Sequence, residues 1–328
     1  MRTRAFDPLR ACARSALLLA AVGCGDAALA PPIVFAERLS AAGLYDDLAT
    51  KRVVDDALEF APIHKLWSDG AEKRRFVLLP PGGVIDATDM DHWQVPVGTR
   101  FFKEFSLGGR RLETRLILRV DDSGEAERDF RLGAYLWLED ESDAVFVPDG
   151  ANDVWGTPHD VPSKDTCWRC HIGEPGHVLG FTAVQLDRAL LDHLEARAAL
   201  SRPVPSGIAV PGDARAQAAL GWLHANCGHC HNENGNAWPQ TPMVLRLAAG
   251  EASVETSRIY RTTVGASLNF YHAPGYALRI APGDPTRSAI VHRDGARGTM
   301  DQMPPLATEI VDPDGLAAVS AWIESLPR

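Results

Sequence analysis

Two short stretches of the chain carry the C-x-x-C-H sequence, Cys167-Trp-Arg-Cys-His171 and Cys227-Gly-His-Cys-His231. Two thiols at this spacing can each form a thioether bond to a haem vinyl group, and the adjacent histidine can bind the iron. The motif is the one used for c-type haem attachment. Four of the six cysteines belong to these two motifs, so a chance pair is a poor explanation. The sequence therefore predicts two covalent haem c groups, bound through Cys167, Cys170, Cys227 and Cys230.

Axial iron ligands can be assigned for the second motif. His231 ends the motif, and Met303 lies beside two prolines in a loop shortly before the last predicted helix. Methionine opposite histidine raises the potential of haem iron and favours electron transfer over oxygen chemistry. The alternative is that Met303 only fills the core, as many methionines do. Met300 is the reserve candidate for the ligand.

The first motif supplies His171 as one ligand but leaves the opposite ligand open. No methionine follows it before Met243, and Pro158 and Pro162 leave no helix-forming stretch leading into it. If no side chain fills the sixth position, the iron is five-coordinate and can bind a small molecule. Four histidines could supply the sixth ligand: His159, His177, His193 and His224.

Predicted helices flank the second motif. Asp213 can cap a helix that leads directly into Cys227, and Gly221 leaves a flat spot on it for another helix. Asp312 and Pro313 are an N-cap and a first-turn proline for the last helix. That helix carries an apolar stripe made of Leu316, Val319, Trp322, Ile323 and Leu326.

The segment from residue 62 to 162 has the alternation of β-strands. Leu112, Thr114, Leu116, Leu118 and Val120 are expected to face one way, with charged residues facing the other. Short strands separated by turn residues predict an antiparallel sandwich or small barrel. Two polar features of this segment are interpreted as surface structure, namely His64 and the turn Ser68-Asp-Gly70.

The predicted fold is α+β and multidomain. A β-rich domain (62–162) is followed by a first haem-motif segment (163–210), which contains a helical run over about 182–200. A mostly α-helical, cytochrome c-like domain occupies residues 211–328. The segment 25–61 is predicted to be a tether with a weak helix, and a surface helix is the alternative.

The first residues predict export. Several arginines precede a short apolar run at residues 15–23, which has the length of a signal-peptide core. Residues 21–24 resemble a lipobox, which predicts a signal peptide over residues 1–24 and lipidation of Cys24. Cleavage after Ala30 is the alternative, although Pro31 would follow the cut. The expected location is the periplasm, with a lipid anchor in the membrane.

Composition limits the class of partner. The chain has 328 residues and a formal net charge of −10, with 45% hydrophobic and 23% charged residues. These fractions are typical of globular proteins. A chain without a basic surface is not expected to bind nucleic acid. The acidic charge fits docking to basic periplasmic redox proteins.

The C-terminal part resembles a class I cytochrome c domain, matched at Cys227, Cys230, His231 and Met303. More broadly, the chain resembles an uncharacterised family of bacterial haem c-binding lipoproteins, often labelled dihaem cytochromes. The stretches that carry this resemblance are residues 66–75, 96–100, 112–115, 178–186, 223–227 and 302–305. The resemblance implies haem binding and electron transfer, and it implies no substrate.

Three hypotheses for function follow. The first is an electron carrier, and not an enzyme, with two haems that passes single electrons between periplasmic partners. The second is a dihaem peroxidase-like enzyme with a five-coordinate haem at His171. The third is a haem-free secreted binding protein whose four motif cysteines form two disulfides or an all-cysteine zinc site.

Overall fold

The computed structural model describes residues 35–328. Its central element is a six-stranded antiparallel sheet in which each strand pairs with the next along the chain. A separate two-stranded sheet precedes it. The strands are β1 (Tyr45–Asp47), β2 (Arg52–Val53), β3 (Leu58–Glu59), β4 (Glu72–Leu78), β5 (Arg100–Leu107), β6 (Arg110–Arg119), β7 (Phe130–Trp137) and β8 (Ala144–Phe146).

The described residues also contain seven α-helices, so the mixed α+β class is confirmed. The first helix lies between β6 and β7, and the other six follow the last strand along the chain. The helices are α1 (Ala126–Asp129), α2 (Lys164–His171), α3 (Arg188–Ala196), α4 (Ala214–Cys227), α5 (Arg258–Thr263), α6 (Ala289–Gly295) and α7 (Pro313–Ser325). None of the helices in residues 35–328 has the length and apolar composition needed to span a membrane. Residues 35–328 belong to one compact unit.

Both faces of the six-stranded sheet are covered, but not by a second sheet. One face, which includes Leu116, packs against Leu39 and Leu44 of the N-terminal segment. The opposite face, which includes Phe101, packs against residues 178–204. Leu112 and Leu116 are both buried, as expected, but they lie in different core clusters and do not share one face. The pairing of β5 with β6 shifts register between Phe105 and Ser106, which interrupts the predicted alternation at Leu112. Alternation shows that a face is covered but does not show what covers it, which is why a sandwich or barrel was expected where the structure has an open sheet.

The segment predicted to be a tether packs on the sheet. Leu39 and Leu44 are fully buried, and residues 58–59 form the first strand of the six-stranded sheet. The leucines that suggested a weak helix are therefore core residues. The predicted signal peptide, the lipobox at Cys24 and residues 25–34 lie outside the described residues.

The first C-x-x-C-H motif lies within a helix. Helix α2 contains Cys167, Cys170 and His171, and the hydroxyl of Ser163 caps it by accepting a hydrogen bond from the Thr166 amide. Prolines 158 and 162 precede the cap, so they do not prevent this short helix from forming. The helical run expected over 182–200 is shorter, because Asp187 caps α3 and residues 178–187 form turns.

Helices α4 and α7 pack against each other, and both predicted N-caps are confirmed. Asp213 accepts a hydrogen bond from the amide of Ala216, and Asp312 accepts one from the amide of Gly315. Helices α4 and α7 approach each other closely at Gly315, where a Cβ atom would lie 2.0 Å from Nε1 of Trp222. The flat spot expected at Gly221 is filled by the ring of His64 and not by another helix.

Candidate functional site

A cavity of about 560 Å³ lies between the sheet, α2, the second motif and the loop around Met303. Its volume is in the range of about 300–1,000 Å³ that is usual for small-molecule and cofactor sites. Six of the seven residues predicted to attach haem or bind its iron line this cavity: Cys167, Cys170, His171, Cys230, His231 and Met303. The seventh, Cys227, packs against the core between α4 and α7.

The two motifs are joined through backbone contacts. The Nδ2 of Asn232 donates hydrogen bonds to the carbonyls of Gly173 (3.0 Å) and Gly228 (2.7 Å). A Cβ atom at Gly173 would lie 2.0 Å from the carbonyl oxygen of His229. The Nδ2 of Asn236 donates to the carbonyl of Arg169 at 2.6 Å. The fold therefore holds both C-x-x-C-H sequences side by side, although about sixty positions separate them.

The motif thiols occupy distinct environments. The ligand atoms of Cys170, His229 and Cys230 all lie within 4.8 Å of one another, so this cluster combines one cysteine of each motif. The hydrogen bond from Cys230, with His229 nearby, lowers the pKa of Cys170. Burial raises the pKa of Cys167 to about 11 and also raises the pKa of Cys227. All four cysteines are free thiols.

Both motif imidazoles are held neutral at ordinary pH. Burial lowers the pKa of His171 to about 4 and lowers the pKa of His231 to about 4. The Nδ1 of His171 lies 2.8 Å from the carbonyl of His177, which can only accept, so Nδ1 carries the proton and Nε2 keeps its lone pair. The buried Nδ1 of His231 has no hydrogen-bond partner among the described residues. Neutral imidazoles of this kind are suited to bind a metal ion.

The histidines considered as sixth ligands of the iron at His171 are not equivalent. His159 is buried, lines the cavity and has its Nε2 2.8 Å from a carboxylate oxygen of Glu113. His177 orients His171 through the backbone, and His193 is exposed. The Nδ1 of His224 accepts a hydrogen bond from the amide of Leu247, and His224 does not line the cavity.

His229 is a cavity residue that the sequence argument missed. It is buried and lines the cavity beside Cys170 and Cys230. In the C-x-x-C-H pattern it occupies a position where any residue is accepted, so the motif gives no reason to select it. His229 lies close to Cys170 only because the two motifs are in contact, and the sequence does not reveal that contact.

The loop around Met303 is fixed by hydrogen bonds. The Met303 amide donates to the carbonyl of Arg293 at 2.9 Å, and the Nε2 of Gln302 donates to the carbonyl of Thr308 at 3.0 Å. Met303 lines the cavity, whereas the reserve candidate Met300 is 96% exposed. Of the two methionines, Met303 is the one placed to bind a group inside the cavity.

The turn Ser68-Asp-Gly70, expected to be surface structure, is part of the cavity wall. Ser68 and Asp69 are buried, and Oδ1 of Asp69 accepts hydrogen bonds from the amides of Glu309 (2.9 Å) and Ile310 (2.8 Å). The Trp67 amide donates to Oδ1 of Asn226 at 2.6 Å, next to Cys227. The turn therefore links α4 to the segment that follows Met303. These partners are about 160 and 240 positions apart, so no local pattern predicts them.

The donor set of the cavity fits haem c. It offers thiols and neutral imidazoles from both motifs and the thioether of Met303. Within residues 35–328, a buried imidazole nitrogen of His231 has no partner. Comparison of the chain with protein-family models, with curated proteins and with solved structures finds no match.

Proposed function

We propose that this chain is an exported dihaem c-type cytochrome that transfers single electrons between periplasmic proteins. The observation that carries the proposal is the meeting of both C-x-x-C-H motifs and Met303 at one cavity. Three segments that are far apart in sequence supply donors that share one chemistry. A fold that served only to bury thiols would not need to bring a methionine and two neutral histidines to the same place.

The four cysteines would hold the two haem groups. Each thiol would form a thioether bond by addition to a vinyl group, with the thiol hydrogen passing to the other vinyl carbon, so that no oxidant is needed. When bound, haem supplies an iron that accepts and releases one electron. The chain's own contribution is to place Cys167 and Cys170 on α2, Cys227 at the end of α4 and Cys230 in the turn that follows.

His171, His231 and Met303 would bind the haem iron. The hydrogen bond from His171 to the carbonyl of His177 fixes the tautomer and the orientation of that imidazole, as partners of metal-bound histidines commonly do. Met303 and His231 line the same cavity and would together supply the ligand pair expected of a class I cytochrome c. Such a pair favours electron transfer over oxygen chemistry.

The approach of the two motifs supports passage of electrons within the molecule. Donor atoms of Cys170 and Cys230 lie within 4.8 Å of each other, and each belongs to a different motif. Groups attached at these two positions are therefore neighbours. Lipidation at Cys24 would hold the protein at the membrane, and the acidic net charge of −10 fits basic redox partners.

A zinc site is the second candidate, because a specific cluster favours it. Cys170, Cys230 and His229 place three ligand atoms within 4.8 Å, as a zinc site with an open position does. This differs from the all-cysteine site considered from the sequence, since Cys167 and Cys227 take no part. Such a site would leave Met303 and both motif histidines without a role, and haem is therefore the better supported ligand.

Voltammetry of the mature protein tests the proposal. An electron carrier with two haems is expected to give two reversible one-electron waves. A catalytic current on adding hydrogen peroxide would instead support the peroxidase-like enzyme with a five-coordinate haem at His171. A protein that gives no wave and contains one zinc ion per chain would contradict electron transfer and support the site at His229.

A further inference from the structure

Three basic side chains form a row across the cavity face of the sheet. Arg75 of β4 is in register with Lys103 of β5, and Lys103 is in register with Arg115 of β6. All three line the cavity. We refer to Arg75, Lys103 and Arg115 as the basic row. Like charges directly opposite each other on neighbouring strands destabilise a sheet, so the row requires an explanation.

One member of the row already has its counter-charge. Arg115 donates two hydrogen bonds to the buried carboxylate of Glu113, at 2.6 Å and 2.9 Å, and His159 contacts the same carboxylate. Among the described residues, neither Arg75 nor Lys103 has an acidic partner within salt-bridge distance or a side-chain hydrogen bond. The row therefore leaves two positive charges uncompensated.

These two charges lie inside the protein. Arg75 is 5% exposed, and Lys103 is half-buried and lines the cavity. Burial, together with the charges of Arg75 and Arg115, holds the pKa of Lys103 well below its usual value. The Phe105 ring lies 4.8 Å from Nζ of Lys103, but a ring face compensates a buried cation only partly. Buried cations normally have a partner, since removing an unpaired charge from water is costly.

The row faces the first motif. The cavity that the row lines is also lined by Cys167, Cys170 and His171. A group attached at the first motif therefore lies within reach of the row. Haem carries two propionate carboxylates, and the row offers two cations without a partner.

We infer that Arg75 and Lys103 bind the propionate carboxylates of the haem held by Cys167 and Cys170. This inference rests on the proposed function. Arginine can bind a carboxylate through two parallel hydrogen bonds, whereas lysine acts as a compact point charge. The role of the sheet is then to supply buried counter-charges for the haem held by α2.

The test uses the mature, haem-loaded protein carrying Lys103→Gln or Arg75→Gln. The matched control, Arg74→Gln, removes the same charge from the next position of β4, where Arg74 is exposed and pairs with Glu59. Haem per chain is counted by intact mass. The midpoint potentials of both haems are then measured over a range of pH by spectroelectrochemical titration.

Each cavity variant is expected to lower the midpoint potential of one haem and to leave the other unchanged. A nearby cation disfavours the ferric state, which carries the extra positive charge, so its removal stabilises that state. The pH dependence of the same potential should move to higher pH, because a carboxylate without its cation has a raised pKa. Lys103→Arg should restore both properties, and Arg74→Gln should change neither.

Three outcomes would overturn the inference, and they are distinguishable. A wild-type protein without haem would show that the proposed function itself fails, before any variant is made. Two haems with unchanged potentials in both cavity variants would show that the row does not contact the propionates. A wild-type potential that shifts on adding acetate or phosphate, with no shift in Lys103→Gln, would assign the row to a soluble anion instead.

Discussion

The two C-x-x-C-H motifs lie in contrasting surroundings. The second follows a helix of 14 residues that packs against α7 through Gly315 and Trp222. The first lies within a helix of eight residues that rests on the sheet. The helices around the second motif can be predicted from their local sequence, whereas the surroundings of the first motif depend on strands that are distant in sequence. The comparison indicates that the second motif is supported by helices and the first is supported by the sheet.

Removing the thiols of one motif at a time should have the largest effect. Cys227→Ala with Cys230→Ala is expected to lose one haem together with the weak methionine–iron absorption band. Cys167→Ala with Cys170→Ala is expected to lose one haem and keep the band, because Met303 is assigned to His231. Absorption spectra and intact mass provide the measurements. Loss of the band in both variants would contradict the separate assignment of the two ligand sets.

The contact between the motifs can be broken at Gly173. Its added Cβ atom would lie 2.0 Å from the backbone oxygen of His229, so Gly173→Ala is expected to reduce the free energy of unfolding by about 3 kcal/mol. Gly250→Ala is the control, since a Cβ atom there has nothing within 4 Å. Thermal and denaturant unfolding measure both variants. Equal stability of the two variants would argue against tight packing between the motifs.

The link from the turn to the methionine loop can be removed at Asp69. Asp69→Ala loses two hydrogen bonds from the amides of Glu309 and Ile310, which should cost about 2 kcal/mol and weaken the methionine–iron band. Asp69→Asn keeps an acceptor oxygen, and asparagine tolerates the positive φ of 49° at this position. The asparagine variant should therefore retain the band. A band of equal intensity in both variants would separate this turn from the placement of Met303.

A smaller, pH-dependent effect is expected at Asp294, on the side of the second motif. Burial raises the pKa of its carboxyl from 3.8 to about 7. The protonated carboxyl group is neutral and is not destabilised by burial, so this contribution to the free energy of unfolding is fully present below about pH 4. It is lost as pH rises towards 7, because the buried group then ionises. Each unit of pKa corresponds to about 1.4 kcal/mol, and for this cavity-lining group we expect on the order of 2 kcal/mol.

Asp294→Asn removes this dependence and should be more stable than the wild type above pH 7, with the difference vanishing in acid. Unfolding by denaturant at several pH values measures the effect. A constant difference between the two proteins across that range would contradict a buried, titrating carboxyl group.

Features with a local physical cause could be predicted from the sequence. The caps at Asp213 and Asp312 involve residues three positions apart, and the motif cysteines were identified by spacing alone. The partners of Asp69 and the register of Lys103 with Arg75 could not be predicted, because they depend on how distant segments meet. The same limit applies to Leu39 and Leu44, whose spacing suggested a weak helix while their partners lie on the sheet.

The central claim is that both motifs carry haem, and the intact mass of the exported protein tests it most directly. Mature protein produced in cells that attach haem c should have the mass of the chain plus two haem groups, and the mass should survive denaturation because the bonds are thioethers. Each pair of cysteine-to-alanine substitutions should lower it by one haem. A mature protein with the mass of the bare polypeptide, or with one bound zinc ion lost on denaturation, would contradict the account.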